Sequence, residues 1–510
     1  MGVLRWSGFP VRELGAPVSG DFYFENVWAL PAPIRSTTDF EKANRRALIV
    51  GMTLGIDLAC RAAHVASLAG PDGTLVWRGR SFYTRPADLE KLWRDLACDD
   101  PAELTVVMEP TRNAWIPVAA WFRRRGARVV LVPTTQSADL RAYYSKHTKN
   151  DRLDSAILAR LPLLHPEGLR EHVGDGPADP LRRVVKQRSS IAKRRSAIFN
   201  RIDAQLELLG PAWYDALGSD YGKAALQFLA RYADPTAVIR LGQARLTEFL
   251  RRHSRGHWRE EKAAELVAAA KETLQLWGAD GMDYAELAAD IAVEAEQAQV
   301  LTIQMAGLDQ RIASLYADAD PAGIIRSAPG VGPVIAGVIA GRLGDPHRFT
   351  SLAAVRSYSG LVPKVNQSGT TDHTTGLTKA GDQLLREALW MAAEQARKLD
   401  PQLAAKYKRL MIAERHHDSA VCHIATTLLT RIATCWRHGE PYQIRDVDGT
   451  PLTQDEGKRI VQEHHQVPKK SSKKQYKRAT ERKAGREPQE SLSAPTSRPA
   501  TTKSRSPQAA

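Results

Sequence analysis

Between Met52 and about residue 160 the apolar runs come in an order that few folds accommodate. TLGIDLA, AAHVASL and TLVWRGRSFY each have the length and β-branched content of a strand, and Gly70-Pro71-Asp72-Gly73 is a strong turn signal between the last two. A helical pattern, ADLEKLWRDLA, follows, then a strand, LTVVMEP, a helix, AWIPVAAWFRRR, a strand, ARVVLVP, and a helix over KNDRLDSAILAR. Three meandering strands followed by αβαβα predict one mixed sheet. The first strand lies at its centre and the fourth beside it, because crossovers between parallel strands are right-handed.

That order is RNase H-like, and it gives four acids a reason to meet. Asp57 lies in the first strand, Glu109 closes the fourth, and Asp151 and Asp154 stand three apart on the last helix, hence on one face. Clustered carboxylates repel one another unless a cation neutralises them. Hard oxygen ligands with spare positions suit Mg²⁺, so Asp57, Glu109, Asp151 and Asp154 are both the candidate metal ligands and candidate catalytic residues. Such a set commonly serves phosphoryl transfer on nucleic acid. Any one of these acids alone would be read as an ordinary surface residue.

The chain has 510 residues, 43% of them hydrophobic, which is enough for several domains with real cores. No apolar run approaches the roughly 20 residues of a membrane helix. Cys60, Cys98, Cys422 and Cys435 form no CxxC pair, which fits a reducing, cytoplasmic compartment. The net charge of +15 points to a polyanionic partner. Of this, +9 falls in the stretch from Val467 to Ala510, with 12 Lys or Arg against 3 Asp or Glu. That Ser- and Pro-rich tail reads as disordered, a nonspecific polyanion clamp at most. Residues 1–48 read as an irregular extension, and Met52 is the candidate translation start.

Residues 180–320 are expected to be helical. The helix from Leu181 carries Arg182, Arg183, Lys186, Arg188, Lys193, Arg194, Arg195 and Arg201 before its first acid, Asp203. With no interleaved acid for i,i+4 pairing, a phosphate-binding face is favoured over a merely solvated one, with Arg182, Arg183, Lys186, Lys193 and Arg194 as its candidates. Leu287, Ile291, Ala298, Leu301, Met305, Leu308, Ile312 and Leu315 recur in alternating steps of four and three, broken at Glu294. This heptad seam predicts a coiled-coil hairpin or a dimer interface.

Residues 321–440 make a third unit. It opens with APGVGPVIAGVIAGRLGD, where Gly330 and Gly332 suggest half of a helix-hairpin-helix that receives a phosphate on backbone N–H groups. The same glycines fit a tight helix cap equally well. SLAAVRSYS reads as a helix, GLVPKVNQSGTTDHTTGLTKAG as a loop, DQLLREALWMAAEQARK as a helix, and Asp400 to Arg437 as one long helix. The loop offers the Ser368 hydroxyl, with Gly369 permitting close approach of a nucleic-acid backbone and Lys379 and Arg386 placed on the following helix to meet a phosphate. By itself Ser368 is a loop serine without an activating His or Asp at a telling spacing. His416, His417, Cys422, His423, Cys435 and His438 fit no zinc-finger spacing and read as helix positions.

Two motif sets, in this order, resemble the DEDD-type transposases of insertion sequences, the bridge-RNA-guided recombinases of the insertion sequence 110 type. The first is GIDLA, MEPT and TKNDRLDSAILAR; the second is PGVGPVIAG, YSGLVPKVNQSG and GLTKAGDQLLREALWMAA. The likeness covers about residues 52–440. It implies a RuvC-like domain over 50–165, a helical coiled-coil region over 180–320, and a mainly α-helical transposase domain over 321–440, between the extension at 1–48 and the tail at 465–510. It further implies a serine nucleophile at Ser368, Mg²⁺ held by the four acids, and a composite site that joins domains of different subunits. The implied partners are element and target DNA, a noncoding guide RNA that delegates sequence choice to base pairing, and further copies of the chain. The implied setting is the cytoplasm of a prokaryotic cell, at the nucleoid during activity. The rival expectation is a RuvC-like nuclease or junction resolvase that hydrolyses DNA with no covalent intermediate.

Overall fold

The structure, a computed structural model, describes residues 51–133, 136–137, 139, 151–164, 169, 171–172, 178–218, 220–278, 280–368 and 371–467, with the backbone alone for 365–368 and 371–375. The extension over 1–48, Gly369 and the basic tail beyond Val467 lie outside the described residues. The chain divides into two compact units, Met1–Gly174 and Asp175–Ala510.

In the first unit β1 (Thr53–Asp57), β2 (His64–Ala69) and β3 (Leu75–Phe82) form a meander, followed by α1 (Pro86–Asp95), β4 (Thr105–Met108), α2 (Trp115–Arg123), β5 (Arg128–Leu131) and α3 (Asp151–Leu164). The strand order is β3-β2-β1-β4-β5, with β1 antiparallel to β2 and parallel to β4. The expected mixed sheet with a central first strand is therefore present. Strands at its centre read as nearly unbroken apolar runs because both faces are covered. Leu54, Ile56, Val106, Met108 and Val129 pack with Leu89, Leu92, Val118 and Phe122 of α1 and α2 on one face. Val107 and Val130, one residue out of phase, pack with Leu158 and Leu161 of α3 on the other.

Small residues let α3 lie close to the sheet. A Cβ on Gly55 would overlap the backbone of Ser155 and Ala159, and one on Gly79 would overlap the Arg152 side chain. The buried Ser67 and Ser155 hydroxyls hydrogen-bond at 2.8 Å, and the Gly79 N–H donates to Ser67 Oγ at 3.2 Å. Gly55, Ser67 and Gly79 thus form the seat of the helix on three successive strands.

The second unit is built on two long helices, α4 (Ala178–Leu209) and α10 (Tyr284–Ala319). Ion pairs Arg188–Asp309 and Arg201–Glu294 fix them antiparallel. Between them in sequence come α5 (Ala212–Leu217), α6 (Lys223–Tyr232), α7 (Pro235–Leu241), α8 (Gln243–His253) and α9 (Glu260–Trp277). Their core joins Trp213, Phe228 and Ala270 to Ile202 of α4 and Ile291 and Ala298 of α10. The remaining halves of α4 and α10, through Leu181, Val185, Leu308 and Ile312, pack with α11 (Pro333–Leu343), α13 (Gln383–Ala396) and α15 (His417–His438). The apolar periodicity of α10 is therefore used against neighbours in its own chain. Glu294, the break in that pattern, accepts hydrogen bonds from Arg201 at 2.6 and 2.8 Å.

Two expectations for this unit change. The presumed loop after α12 (Leu352–Ser359) is a hairpin of β6 (Pro363–Ser368) and β7 (Thr371–Leu377), with Ser368 opposite Thr371 and two residues connecting them. Val365, Thr371, Thr374 and Thr375 supply β-branched content, and a two-residue link containing Gly is a hairpin signal. The presumed single helix over 400–437 is α14 (Pro401–Ile412) followed by α15, broken where Glu414 adopts φ +60°. His416 then caps α15, its ring accepting from the Asp418 N–H at 3.3 Å. A further helix, α16 (Gln454–His464), starts with a capping box between Thr453 and Glu456 that the sequence pattern T-x-x-E already contained.

Candidate active site

Parallel pairing aligns Ile56 with Met108, so the next residues, Asp57 and Glu109, leave the sheet side by side. The chain turns at once after Glu109, with the Thr111 N–H donating to the Glu109 carbonyl at 2.8 Å. On the adjoining face α3 begins with Asp151 and Asp154 in its first turn, where the helix macrodipole favours negative charge. All four acids line a single cavity of about 300 Å³, together with Thr111 and Ser137. Asp57, Glu109 and Asp154 are partly buried and Asp151 is exposed.

The cavity is electrostatically demanding. Carboxylates that share a site raise one another's free energy unless a counter-charge or hydrogen bonds offset it. Ser137 offsets part of this by donating to Glu109 Oε2 at 2.6 Å. Sequence reading had missed Ser137; no spacing rule connects it to Glu109, because the contact is made by the fold. Four carboxylates around one open space are the donor set that a hard divalent cation takes. Among the described residues no three acid, imidazole or thiol groups converge to ligand distance.

A second missed residue braces the site from behind. His64, 4% exposed, accepts the Ala59 N–H on Nδ1 at 3.1 Å and pairs through Nε2 with Thr84 Oγ1 at 2.6 Å. With Nδ1 accepting, the neutral ring donates from Nε2. Its ring also meets Phe82 edge-on at 5.1 Å. Ala59 is two residues beyond Asp57, so His64 ties the β1–β2 loop to the sheet at the point where Asp57 leaves it. Burial pushes the His64 imidazole below its ordinary pKa.

The other candidate residues belong to the second unit. Ser368 ends β6 at the tip of the hairpin. Lys379 is not on a helix: it lies exposed between β7 and α13, at φ +55°. Arg386 is on α13, where its guanidinium donates to the Ser359 carbonyl at 3.2 Å. A Cβ on Gly330 would overlap the α13 backbone at Ala392, so close packing explains that glycine, whereas Gly332 faces open space. The cations of α4 also divide. Arg182 donates to the Gly341 carbonyl at 3.1 Å and Arg183 pairs with Asp179 one turn before it. Arg188 and Arg201 find acids on α10, which sequence proximity could not show. Lys186, Lys193 and Arg194 remain solvent-facing.

Known families match the chain in two places. Residues 54–211 match the DEDD transposase family of the IS110 type, and residues 322–408 match the transposase IS116/IS110/IS902 family. The first match contains the whole acid cavity and the second contains the hairpin. An insertion element IS110 protein of 43.6 kDa from Streptomyces coelicolor is 25% identical over 79% of this chain and 98% of its own length. An insertion element IS900 protein of 42 kDa from Mycobacterium paratuberculosis is 26% identical over 73% of this chain and 92% of its own. The transposase for insertion sequence element IS1328 of Yersinia enterocolitica is 28% identical over 26% of this chain and 40% of its own. Two matched segments in one chain, in this order, and relatives drawn from insertion elements support an IS110-family DEDD transposase.

Proposed function

We propose that this DNA transposase cuts and rejoins DNA by transesterification, with Ser368 as nucleophile and Asp57, Glu109, Asp151 and Asp154 as holders of Mg²⁺. The observation that carries the reading is the meeting of these four acids in one cavity, within a chain whose second matched segment contains Ser368. In the forward step the Ser368 oxygen bonds to a DNA phosphorus and the bond to one strand's hydroxyl oxygen breaks; that hydroxyl leaves with a proton. In the reverse sense, a strand hydroxyl attacks the phosphoserine and releases the serine. A divalent cation bound by the acids supplies neutralisation of the charge that develops on the phosphate. Ser137 holds the Glu109 carboxylate in place and His64 holds the loop behind Asp57. Lys186, Lys193, Arg194, Lys379 and the N–H groups at Gly332 are available to DNA or RNA backbones. A structured guide RNA would select the sequence by base pairing, and several copies of the chain would bring serine and acids of different subunits together.

The test is a denaturing gel. Protein, DNA bearing the element junction, the element's noncoding RNA and Mg²⁺ are expected to give DNA covalently attached to protein. Ser368→Ala loses the adduct and the cut together. Cleavage by Ser368→Ala at the wild-type rate, lost only in Asp57→Asn, replaces this reading with hydrolysis by the acid cavity alone.

A further inference from the structure

Beside the acid cavity, and sharing Ala59 with it, lies a second cleft of about 270 Å³. Cys60 and Arg61 of the β1–β2 loop line it, as do Tyr83, Thr84 and Arg85 of the β3–α1 turn, and the buried His64. Tyr83, the residue after β3, is 43% exposed. The Arg85 guanidinium stands 5.1 Å from the centre of its ring. The turn that presents them is fixed by two hydrogen bonds from backbone N–H groups: Tyr83 N–H donates to Asp88 Oδ2 at 3.1 Å and Arg85 N–H to the Tyr83 carbonyl at 2.7 Å. Arg61 is exposed on the β1–β2 loop, four residues after Asp57.

We infer that this cleft is a subsite for one unpaired nucleotide of the strand whose phosphate lies at the acids. The inference rests on reading the acid cavity as the place where nucleic acid is cut. An exposed aromatic ring joined to a guanidinium plane is the surface on which an unstacked base settles, and it tolerates any base because every base has a π-face. Arg61 and Arg85 supply the charge for the flanking phosphates. The cleft is smaller than the roughly 300–1,000 Å³ of a drug-sized pocket, which suits a single base. A base held in a duplex keeps its stacking neighbours and cannot use the ring, so the cleft selects a strand that is locally open.

The experiment uses the full-length protein, with Ca²⁺ in place of Mg²⁺ to hold back cutting. Single-stranded oligonucleotides of the element-junction sequence carry one 2-aminopurine at successive positions, in a DNA series and an RNA series. Fluorescence is expected to be quenched at one or two adjacent positions, and the series that shows it identifies the strand. Tyr83→Ala is expected to abolish the quench and weaken binding about tenfold, while Tyr83→Phe retains both. Arg85→Ala is expected to weaken binding and to reduce its dependence on log salt by about one charge. Quenching that survives Tyr83→Ala, or no quenched position in either series, overturns the subsite. Acid-dependent cutting in Mg²⁺, measured on the same preparations, separates the two failures. If cutting is present without a quench, only the subsite falls; if cutting does not depend on Asp57, the reading of the acid cavity falls as well.

Discussion

The acids and Ser368 are carried by very different scaffolds. Asp57 and Glu109 extend from neighbouring strands buried on both faces, and Asp151 and Asp154 from a helix seated on Gly55, Ser67 and Gly79. Ser368 ends one strand of a hairpin that, among the described residues, forms a two-stranded sheet. A sheet packed on both faces fixes the directions of its side chains closely, whereas an isolated two-stranded hairpin is marginally stable. Under the proposed function, the contrast suits a division of labour in which the charge-holding half is preformed and the serine is set by what it binds. Pre-positioned charge is effective because it needs no reorganisation at the moment of reaction.

The largest expected effect tests the preformed half. Asp57→Asn keeps the shape of the cavity but removes one negative charge from it. Strand cutting should fall by on the order of 10²–10³-fold, equivalent to about 3–4 kcal/mol at the barrier, with the unfolding transition nearly unchanged. Cutting within tenfold of wild type would remove Asp57 from the chemistry. The next largest effect is structural. Gly55→Val places a branched side chain where the α3 backbone already lies. It should cost about 3 kcal/mol or more, at the upper end of overpacking penalties, read as an early unfolding transition of the first unit with loss of cutting. A Gly55→Val protein of wild-type stability would mean that α3 is not seated there.

The order of elements in the first unit was legible because hydrophobic periodicity and turn chemistry are local signals, and the right-handed crossover rule turns them into a sheet order. Asp57, Glu109, Asp151 and Asp154 were legible for the same reason: each lies at or next to the end of an element, and the topology brings those ends to one edge. Contacts made by chance of fold were not legible. Nothing near Ser137 in sequence announces Glu109, and nothing near Arg188 announces Asp309. Of the eight cations of α4, Arg188 and Arg201 looked unpaired because their acids, Asp309 and Glu294, lie about a hundred residues on, across a helix pair. The hairpin at Ser368 was hidden by polar residues on both strands, which erase the apolar alternation that marks a half-buried strand. Glu414 interrupts what looked like one helix through a left-handed φ that its residue type does not advertise.

A smaller effect concerns the brace behind Asp57. His64 is buried as the neutral ring, and its folded pKa lies below the ordinary value of 6.5. Above pH 6.5 the ring is neutral folded or unfolded and costs nothing. As pH falls below 6.5 the unfolded chain takes up a proton that the folded one resists, so stability declines until the folded pKa is passed. The first unit should therefore lose stability as pH is lowered through 6.5, and His64→Gln should flatten that part of the profile. At pH 8 the same variant, lacking the ring's Nδ1 acceptor for the Ala59 N–H, should lose about 1–2 kcal/mol. Its cutting should need more Mg²⁺ for half-saturation. A variant with unchanged Mg²⁺ dependence would show that Asp57 holds its place without the brace.

The smallest expected effect lies in the second unit, and it sharpens the comparison from the other side. Arg188 and Asp309 pair across α4 and α10 with side chains 25% and 35% exposed. Ion pairs with that access to water contribute only about 0.2–1 kcal/mol, less at high salt. A double-mutant cycle on Arg188→Ala and Asp309→Ala should give a coupling in that range, falling further in 1 M salt, and leave DNA cutting unchanged. The two helices are held by Leu181, Val185, Leu308 and Ile312, and the charges set their register. A coupling well above this range would mean that the pair carries the helix packing itself. The second unit would then depend on polar geometry as strictly as the acid cavity does, and the contrast between a rigid half and an adaptable half would lose its physical basis.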